Sequence, residues 1–198
     1  MKLYLASASP RRRELLEQIG ATFEILPAVG EEHSVQKNPQ EVAEELSAQK
    51  AVEIDQKLQE TKEDYMVLGA DTVVSCDGAV LGKPKDEEHA KEMLRLLQGR
   101  AHQVYTGVTF VIRRNGTAET YTFSEKTEVS MYSMTEAQIQ RYVDTKEPMD
   151  KAGSYAIQGK CAAFIQSIHG DYNNVVGLPI AKIYQTLLER NIDICALS

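Results

Sequence analysis

Three arginines in a row follow a Ser-Pro pair near the start of the chain, in Ser9-Pro10-Arg11-Arg12-Arg13. Ser9 suits a helix N-cap and Pro10 the first helical position, so the arginines fill the first helical turn. Acids are favoured there, because the positive end of the helix dipole lies there. A helix gains nothing from this placement, but an anion does. Free N–H groups at a helix start, with guanidinium forks beside them, suit a phosphate. The plainer alternative is three solvated arginines on a surface helix. Two lysines stand in similarly odd places. Lys50 falls in the i, i+4 row Val42, Leu46, Lys50, Ile54 and Leu58, whose other members are apolar and should face the core. Such a lysine either snorkels to water or points into a cleft and meets an anion. Lys83 lies in Gly82-Lys83-Pro84, a constrained loop.

Carboxylates complete the set. Asp71 interrupts the near-continuous apolar run of residues 65–76, directly after Gly69-Ala70. An acid inside such a run must be paired, metal-bound or catalytic, because burying it alone is costly. The small residues before it let backbone or ligand come close. Glu31-Glu32-His33 lies in a polar stretch and offers a second carboxylate, from either Glu31 or Glu32. Mg²⁺ commonly takes one or two carboxylates together with phosphate oxygens and waters. Cations and a metal around a polyphosphate are what phosphoryl chemistry requires. The sequence holds neither a Walker A pattern nor G-x-G-x-x-G, which excludes a P-loop or a standard dinucleotide-binding site.

These residues need elements to position them. The apolar run of residues 3–5 reads as a strand leading into the Ser-Pro helix, which Gly20 closes. Residues 22–26 read as a second strand and 27–38 as a loop. Asn38-Pro39 opens a long helix to about Leu58. Residues 65–76 form a strand covered on both faces, and Asp77-Gly78 turns it back through 79–81. Asp86 caps a helix to Leu97. Residues 102–113 and 117–131 read as a long hairpin with Asn115-Gly116 at its tip, and Gly107 should loosen its first strand locally. Thr135 and Gln138 fit a capping box for a helix to about Thr145. Residues 150–159 carry two glycines among small and polar residues, as in a loop that a ligand approaches. Residues 162–168 read as a strand, 172–178 as a connection, and the last helix begins at Pro179. The class is α/β, with a mixed central sheet flanked by helices.

The 198 residues can bury a sizeable core, and with no linker or repeat they read as a single domain over 1–198, with a cleft. The net charge of −7 argues against a nucleic-acid surface, so the local cations suit a small anionic ligand. Cys76, Cys161 and Cys195 have no metal or disulfide spacing, which points to a reducing, cytoplasmic setting. No signal peptide or membrane span is expected.

Taken in order, Ser7-Ala8-Ser9-Pro10-Arg11-Arg12, Gly69-Ala70-Asp71-Thr72, Gly82-Lys83-Pro84, Asp150-Lys151-Ala152-Gly153-Ser154-Tyr155-Ala156-Ile157-Gln158-Gly159 and Gly177-Leu178-Pro179 resemble the motifs of the Maf family across nearly the whole chain. That resemblance implies an inosine-triphosphatase-like fold with a central cleft between two lobes. It implies a metal-dependent nucleoside triphosphate pyrophosphatase using Mg²⁺ or Mn²⁺ and releasing nucleoside monophosphate and pyrophosphate. Asp71 falls on the family's catalytic acid, Glu32 on its acidic loop residue, and Lys50 and Lys83 on its two active-site lysines. With Ser9, Arg11 and Arg12 these lysines would hold phosphate, and Glu32 with Asp71 would hold metal. Arg11, Arg12, Thr72 and Gln158 resemble the branch that prefers dTTP and UTP, with modified pyrimidine nucleotides as further substrates. A homodimer is among what the resemblance implies. Two other classes stay open: a nucleotidyltransferase, and a non-catalytic nucleotide-binding regulator of cell division.

Overall fold

The computed structural model describes residues 1–197. Among these, seven strands form one mixed sheet in the order β2-β1-β3-β5-β6-β7, with β4 also on β3. The strands are β1 (Lys2–Leu5), β2 (Glu24–Ile25), β3 (Tyr65–Cys76), β4 (Ala79–Leu81), β5 (Ala101–Arg114), β6 (Thr117–Met131) and β7 (Ile165–His169). β1 is parallel to β2 and β3, and the other pairings are antiparallel. The helices are α1 (Pro10–Gln18), α2 (Pro39–Leu58), α3 (Glu87–Leu97), α4 (Glu136–Asp144), α5 (Tyr172–Val176) and α6 (Ile180–Leu188).

Most expected boundaries stand within a residue or two. Asn38 caps α2 through a bond from the Gln40 N–H, Asp86 caps α3, and the Thr135–Gln138 capping box is complete. The tips at Asp77-Gly78 and Asn115-Gly116 have positive φ at both residues, as two-residue hairpins require. Differences lie at the C-terminal end. Residues 162–164 belong to a 3₁₀ turn, so β7 starts only at Ile165, and residues 172–176 form a short helix capped by Asp171. The second strand is also shorter than expected, at two residues.

β3 organises the rest. Its side chains alternate between the two faces of the sheet. On one face lies α2. On the other, two cores sit end to end along the strand. Leu68 and Ala70 pack with Leu3, Leu5, Leu16, Leu178 and Ile183, while Val74 and Cys76 pack with Leu94, Leu97, Val129 and Tyr142. These are the two lobes. On one edge of β3, β1 pairs with residues 65–68 and β4 with residues 74–76, which leaves residues 69–73 between them with no strand on that edge. The interval between the lobes is therefore where Asp71 and Thr72 stand.

α2 approaches the sheet unusually closely, and two glycines make room. A Cβ on Gly69 would fall 2.4 Å from the Ser47 carbonyl oxygen, and one on Gly107 would fall 2.1 Å from that of Ala43. The β3–β5 ladder runs in register through Asp71 and Gly107, so Gly107 does not loosen its strand as the sequence suggested. It is a contact point for a helix. The row of α2 that meets the sheet is consequently Ala43, Ser47 and Ala51, all buried and small. The row through Lys50 packs beside it, Ile54 with Tyr65, Val67 and Val111, and Val42 with Val73. Asp55 fastens the far end of α2, accepting from Arg113 Nε and Nη2 at 2.6 and 2.7 Å and from the Tyr65 hydroxyl at 2.9 Å. The Arg113 hydrogen bond, with smaller help from Tyr65, holds the Asp55 carboxyl below its usual range, although burial opposes this.

Candidate active site

A cavity of about 690 Å³ opens along the free interval of β3. Ser9, Arg11, Arg12, Glu32, Lys50, Asp71, Thr72, Lys83 and Gln158 all line it. The geometry brings these nine residues together from six separate parts of the chain.

The carboxylates and Lys50 lie on the α2 face. Lys50 Nζ is 2.5 Å from Asp71 Oδ1 and 3.1 Å from Glu32 Oε1. The Lys50 side chain is only 13% exposed, so it points into the cleft instead of snorkelling outward. The same contact separates the two neighbouring glutamates. Glu32 turns inward to Lys50, while Glu31 is almost fully exposed beside His33.

Arg12 works from the opposite face. Its Nε donates to the Gly177 carbonyl at 2.9 Å, Nη1 to Ser7 Oγ at 3.2 Å and Nη2 to Thr72 Oγ1 at 3.2 Å. A guanidinium has five N–H donors, so two remain for an anion in the cavity. Burial pushes the Arg12 pKa down, and the charges of Asp71 and Glu32 work against that fall while Arg11 adds to it. Ser9 sits at the N-cap position of α1, yet its side chain makes no capping bond; its backbone N–H instead donates to Ser7 Oγ at 3.2 Å. The Ser9 hydroxyl is thus not committed to the helix it precedes.

The rim opposite α1 is the stretch 150–159. Arg11 Nη1 lies 3.8 Å from Asp150 Oδ2, which ties the start of α1 to this rim. Burial works to raise the Asp150 carboxyl, but the hydrogen bond and charge of Lys151, with the charge of Arg11, hold it below its usual range. The Gly153 N–H donates to the Gly82 carbonyl, anchoring the loop that carries Lys83. Gln158 is exposed on this rim. Three participants were not singled out individually from sequence. Lys151 also lines the cavity, its side chain 14% exposed and bonded to the Glu147 carbonyl and to Asp150. Tyr155 lies under the rim and is held by His102 Nε2 at 2.7 Å. Thr106 backs Thr72. Lys151 and Tyr155 lay in a stretch read as a ligand loop, whereas a buried His or Thr in a strand carries no signal of its own.

The donor set suits a divalent metal. Two carboxylates, Glu32 and Asp71, converge on one point where a cationic nitrogen already stands, and hard oxygen donors are what Mg²⁺ and Mn²⁺ take. Among the described residues there is no cluster of three or more acidic, histidine or cysteine ligands.

A sequence model of the family described as Maf-like protein matches residues 2–190. The chain belongs to the Maf family. Its similarity to other Maf proteins runs end to end. It is 53% identical to a dTTP/UTP pyrophosphatase of Agathobacter rectalis, covering 98% of this chain and 99% of that one. It is 48% identical to a dTTP/UTP pyrophosphatase of Bacillus thuringiensis subsp. konkukian, covering 98% and 97%. In fold it is similar to the Staphylococcus aureus Ham1 protein, with a TM-score of 0.50 at 14% identity, over 97% of this chain and all of that one.

Proposed function

We propose that this Maf protein is a metal-dependent pyrophosphatase that cleaves dTTP and UTP to the monophosphate and pyrophosphate. The observation that carries the reading is the Glu32–Lys50–Asp71 cluster inside a cavity that also presents Arg11, Arg12 and Lys83. The full-length similarity to proteins named for that activity supports it. Glu32 and Asp71 would hold the divalent cation, which would supply neutralisation of phosphate charge and acidification of a nearby water. Asp71 orients the attacking water and accepts its proton. The water oxygen bonds to the α-phosphorus as the bond to the bridging oxygen breaks, and pyrophosphate leaves with that electron pair. Arg12, Lys50 and Lys83 neutralise the charge that builds on the departing group. Ser9 and Arg11 bind phosphate at the start of α1, where N–H groups point outward. Arg11, Thr72 and Gln158 select the nucleoside.

Net charge −7 gives no support to a nucleic-acid partner. No helix among the described residues is long and apolar enough to cross a membrane. Cys76, Cys161 and Cys195 are free thiols, which favours a reducing cytoplasmic setting, and the family resemblance favours a homodimer.

The test is an assay of the purified chain over dTTP, UTP, CTP and GTP, with Mg²⁺, Mn²⁺ or chelator, measuring pyrophosphate and orthophosphate separately. Metal-dependent release of pyrophosphate from dTTP and UTP is expected. Orthophosphate alone overturns the cleavage site. Binding without turnover would favour the nucleotide-binding regulator, and a joined product would favour the nucleotidyltransferase.

A further inference from the structure

Thr72 is surrounded so that the direction of its hydroxyl hydrogen is fixed. Its Oγ1 lies 2.9 Å from Thr106 Oγ1, and Thr106 Oγ1 lies 3.0 Å from the Asn174 carbonyl oxygen. A carbonyl can only accept, so the single hydrogen of Thr106 is spent on Asn174. Thr106 must therefore accept from Thr72, and the single hydrogen of Thr72 is spent on Thr106. Arg12 Nη2 donates to one lone pair of Thr72 at 3.2 Å. The other lone pair is what Thr72, which lines the cavity, has left to offer. Thr106 is itself fully buried, in β5 directly opposite Thr72, and Asn174 is fully buried in α5. The relay runs from the cleft along one face of the sheet to a buried backbone carbonyl, so a ligand cannot reverse it without breaking a buried bond.

We infer that Thr106 is a positioning residue for substrate selection: it holds the Thr72 hydroxyl as a hydrogen-bond acceptor toward the cleft, where it reads an N–H or O–H donor of the nucleoside. This rests on the nucleotide reading of the cavity and deepens it. Ionised phosphate oxygens carry no hydrogen and would be repelled by an acceptor, so Thr72 does not serve the triphosphate. Asp71 and Thr72 are adjacent in β3 and leave opposite faces, which separates the carboxylate pair from the Thr72 contact. The donors a uridine or thymidine nucleotide offers are the imide N3–H of the base and the sugar hydroxyls. Cytosine has a lone pair at N3 in place of that N–H, so an acceptor there favours uracil and thymine over it.

The experiment compares Thr106→Cys with Thr106→Ser. The two side chains are similar in size, but a thiol is a weak acceptor and a hydroxyl a good one. Thermal melts establish that each variant is folded. The ratio of kcat/KM for UTP over CTP probes the base, and the ratio for UTP over 3′-deoxy-UTP probes the sugar. Relative to Thr106→Ser, Thr106→Cys should lower one of these ratios by roughly three- to tenfold, the worth of one redirected hydrogen bond. A fall in the first assigns Thr72 to the base, and a fall in the second assigns it to the sugar. Thr106→Ser should keep the wild-type ratios. If both ratios agree between the two folded variants within twofold, the inference is overturned while the pyrophosphatase reading stands. If the wild type cleaves no nucleoside triphosphate, the broader reading fails, and this inference fails with it.

Discussion

Lys50 Nζ donates to Asp71 Oδ1 at 2.5 Å, joining the middle of α2 to the middle of β3 across the α2 face of the sheet. Each partner supplies what the other lacks. Asp71 is 8% exposed and would be costly to bury as a lone carboxylate, and Lys50 lies in an otherwise apolar row. The pair sets a carboxylate and an ammonium side by side inside the cleft, where a metal and a triphosphate would meet them.

Replacing Asp71 with Asn keeps the shape and removes the charge. Turnover of dTTP by Asp71→Asn should fall by at least roughly a hundredfold, the lower end for loss of a general base. The variant should remain folded, since an amide oxygen still accepts from Lys50. Steady-state kinetics at saturating metal, on protein whose melt is verified, checks this. Near-wild-type turnover would remove Asp71 from the chemistry.

For Lys50→Met, the sequence alone predicts lost activity with stability held or raised, because a costly cation is replaced by an apolar chain of similar length. The ion pair reverses the stability half of that expectation. Removing Lys50 leaves Asp71 buried without its partner, so the variant should lose stability by about 1–3 kcal/mol as well as activity. Adding Asp71→Asn to Lys50→Met should recover much of that stability and none of the activity. Denaturant unfolding of the two single variants and the double variant measures the coupling directly. No coupling would mean that the pair does not stabilise the fold.

Gly107→Ala tests how α2 is seated. Its Cβ would fall 2.1 Å from the Ala43 carbonyl oxygen, and Ala43 belongs to helix backbone that cannot swing aside. The variant should be destabilised by about 2 kcal/mol or more, at the upper part of the range for overpacking. Because α2 carries Lys50, kcat should fall beyond what the unfolded fraction explains. A melt within a degree or two of wild type would show that α2 can retreat freely.

The same contact marks where the sequence stopped being legible. Hydrophobic periodicity ranks rows of a helix by apolarity, and it favours the row through Val42, Leu46 and Ile54. Val42 and Ile54 are indeed buried against the sheet, but its closest contacts are Ala43, Ser47 and Ala51, because the glycines of β3 and β5 let the backbones close until only small side chains fit between them. That is a pairwise property of two segments far apart in the chain. Arg11, Arg12, Lys50 and Asp71 were easier, because each broke a local rule: arginines in a first helical turn, a lysine in an apolar row, an acid in a buried strand. Thr72 and Gln158 broke none and came only from the family resemblance. Thr106 and His102 broke none. A threonine in a strand reads as ordinary β-propensity, and only three-dimensional pairing reveals what its hydroxyl does. The strand expected over 162–168 loses its first residues to a 3₁₀ turn, since Cys161 is drawn into the core beside Tyr155 and Tyr142.

His102 gives a pH signature. Burial, with a smaller push from Arg100, lowers its pKa from 6.5 to about 4, so it is neutral in the folded protein at pH 7. In the unfolded chain it takes up a proton near pH 6.5. Between these values the unfolded state binds more protons, so the stability associated with neutral His102 is fully present above pH 6.5 and is lost as pH falls toward 4. From pH 6.5 to pH 5 the loss should be about 1.5 kcal/mol, since the slope reaches 1.36 kcal/mol per unit only once the unfolded histidine is fully protonated. His102→Gln removes the titration while leaving a polar group for the Tyr155 hydroxyl, so its stability should fall less than that of wild type over the same interval. Parallel slopes for the two proteins would show that His102 is not the group responsible.

Gln158 stands on the rim opposite α1, exposed in the stretch that also carries Lys151 and Tyr155. A carboxamide meets the N3–H of uracil or thymine with its oxygen and an adjacent carbonyl with its NH₂. A freely turning amide could flip and accept cytosine equally well, so selectivity requires neighbours that fix the polarity of the site. Gln158→Glu keeps the acceptor for N3–H and loses the donor, and its charge repels the base carbonyl. Turnover of dTTP and UTP should both fall, by about 1–3 kcal/mol in kcat/KM, the cost of leaving a carbonyl unpaired. The 5-methyl group is remote from the imide edge, so the two substrates should fall together. The measurement is kcat/KM for dTTP, UTP, CTP and GTP in wild type and variant. An unchanged order of preference, with no loss on dTTP or UTP, would take Gln158 out of base recognition and leave the selection to Arg11 and Thr72.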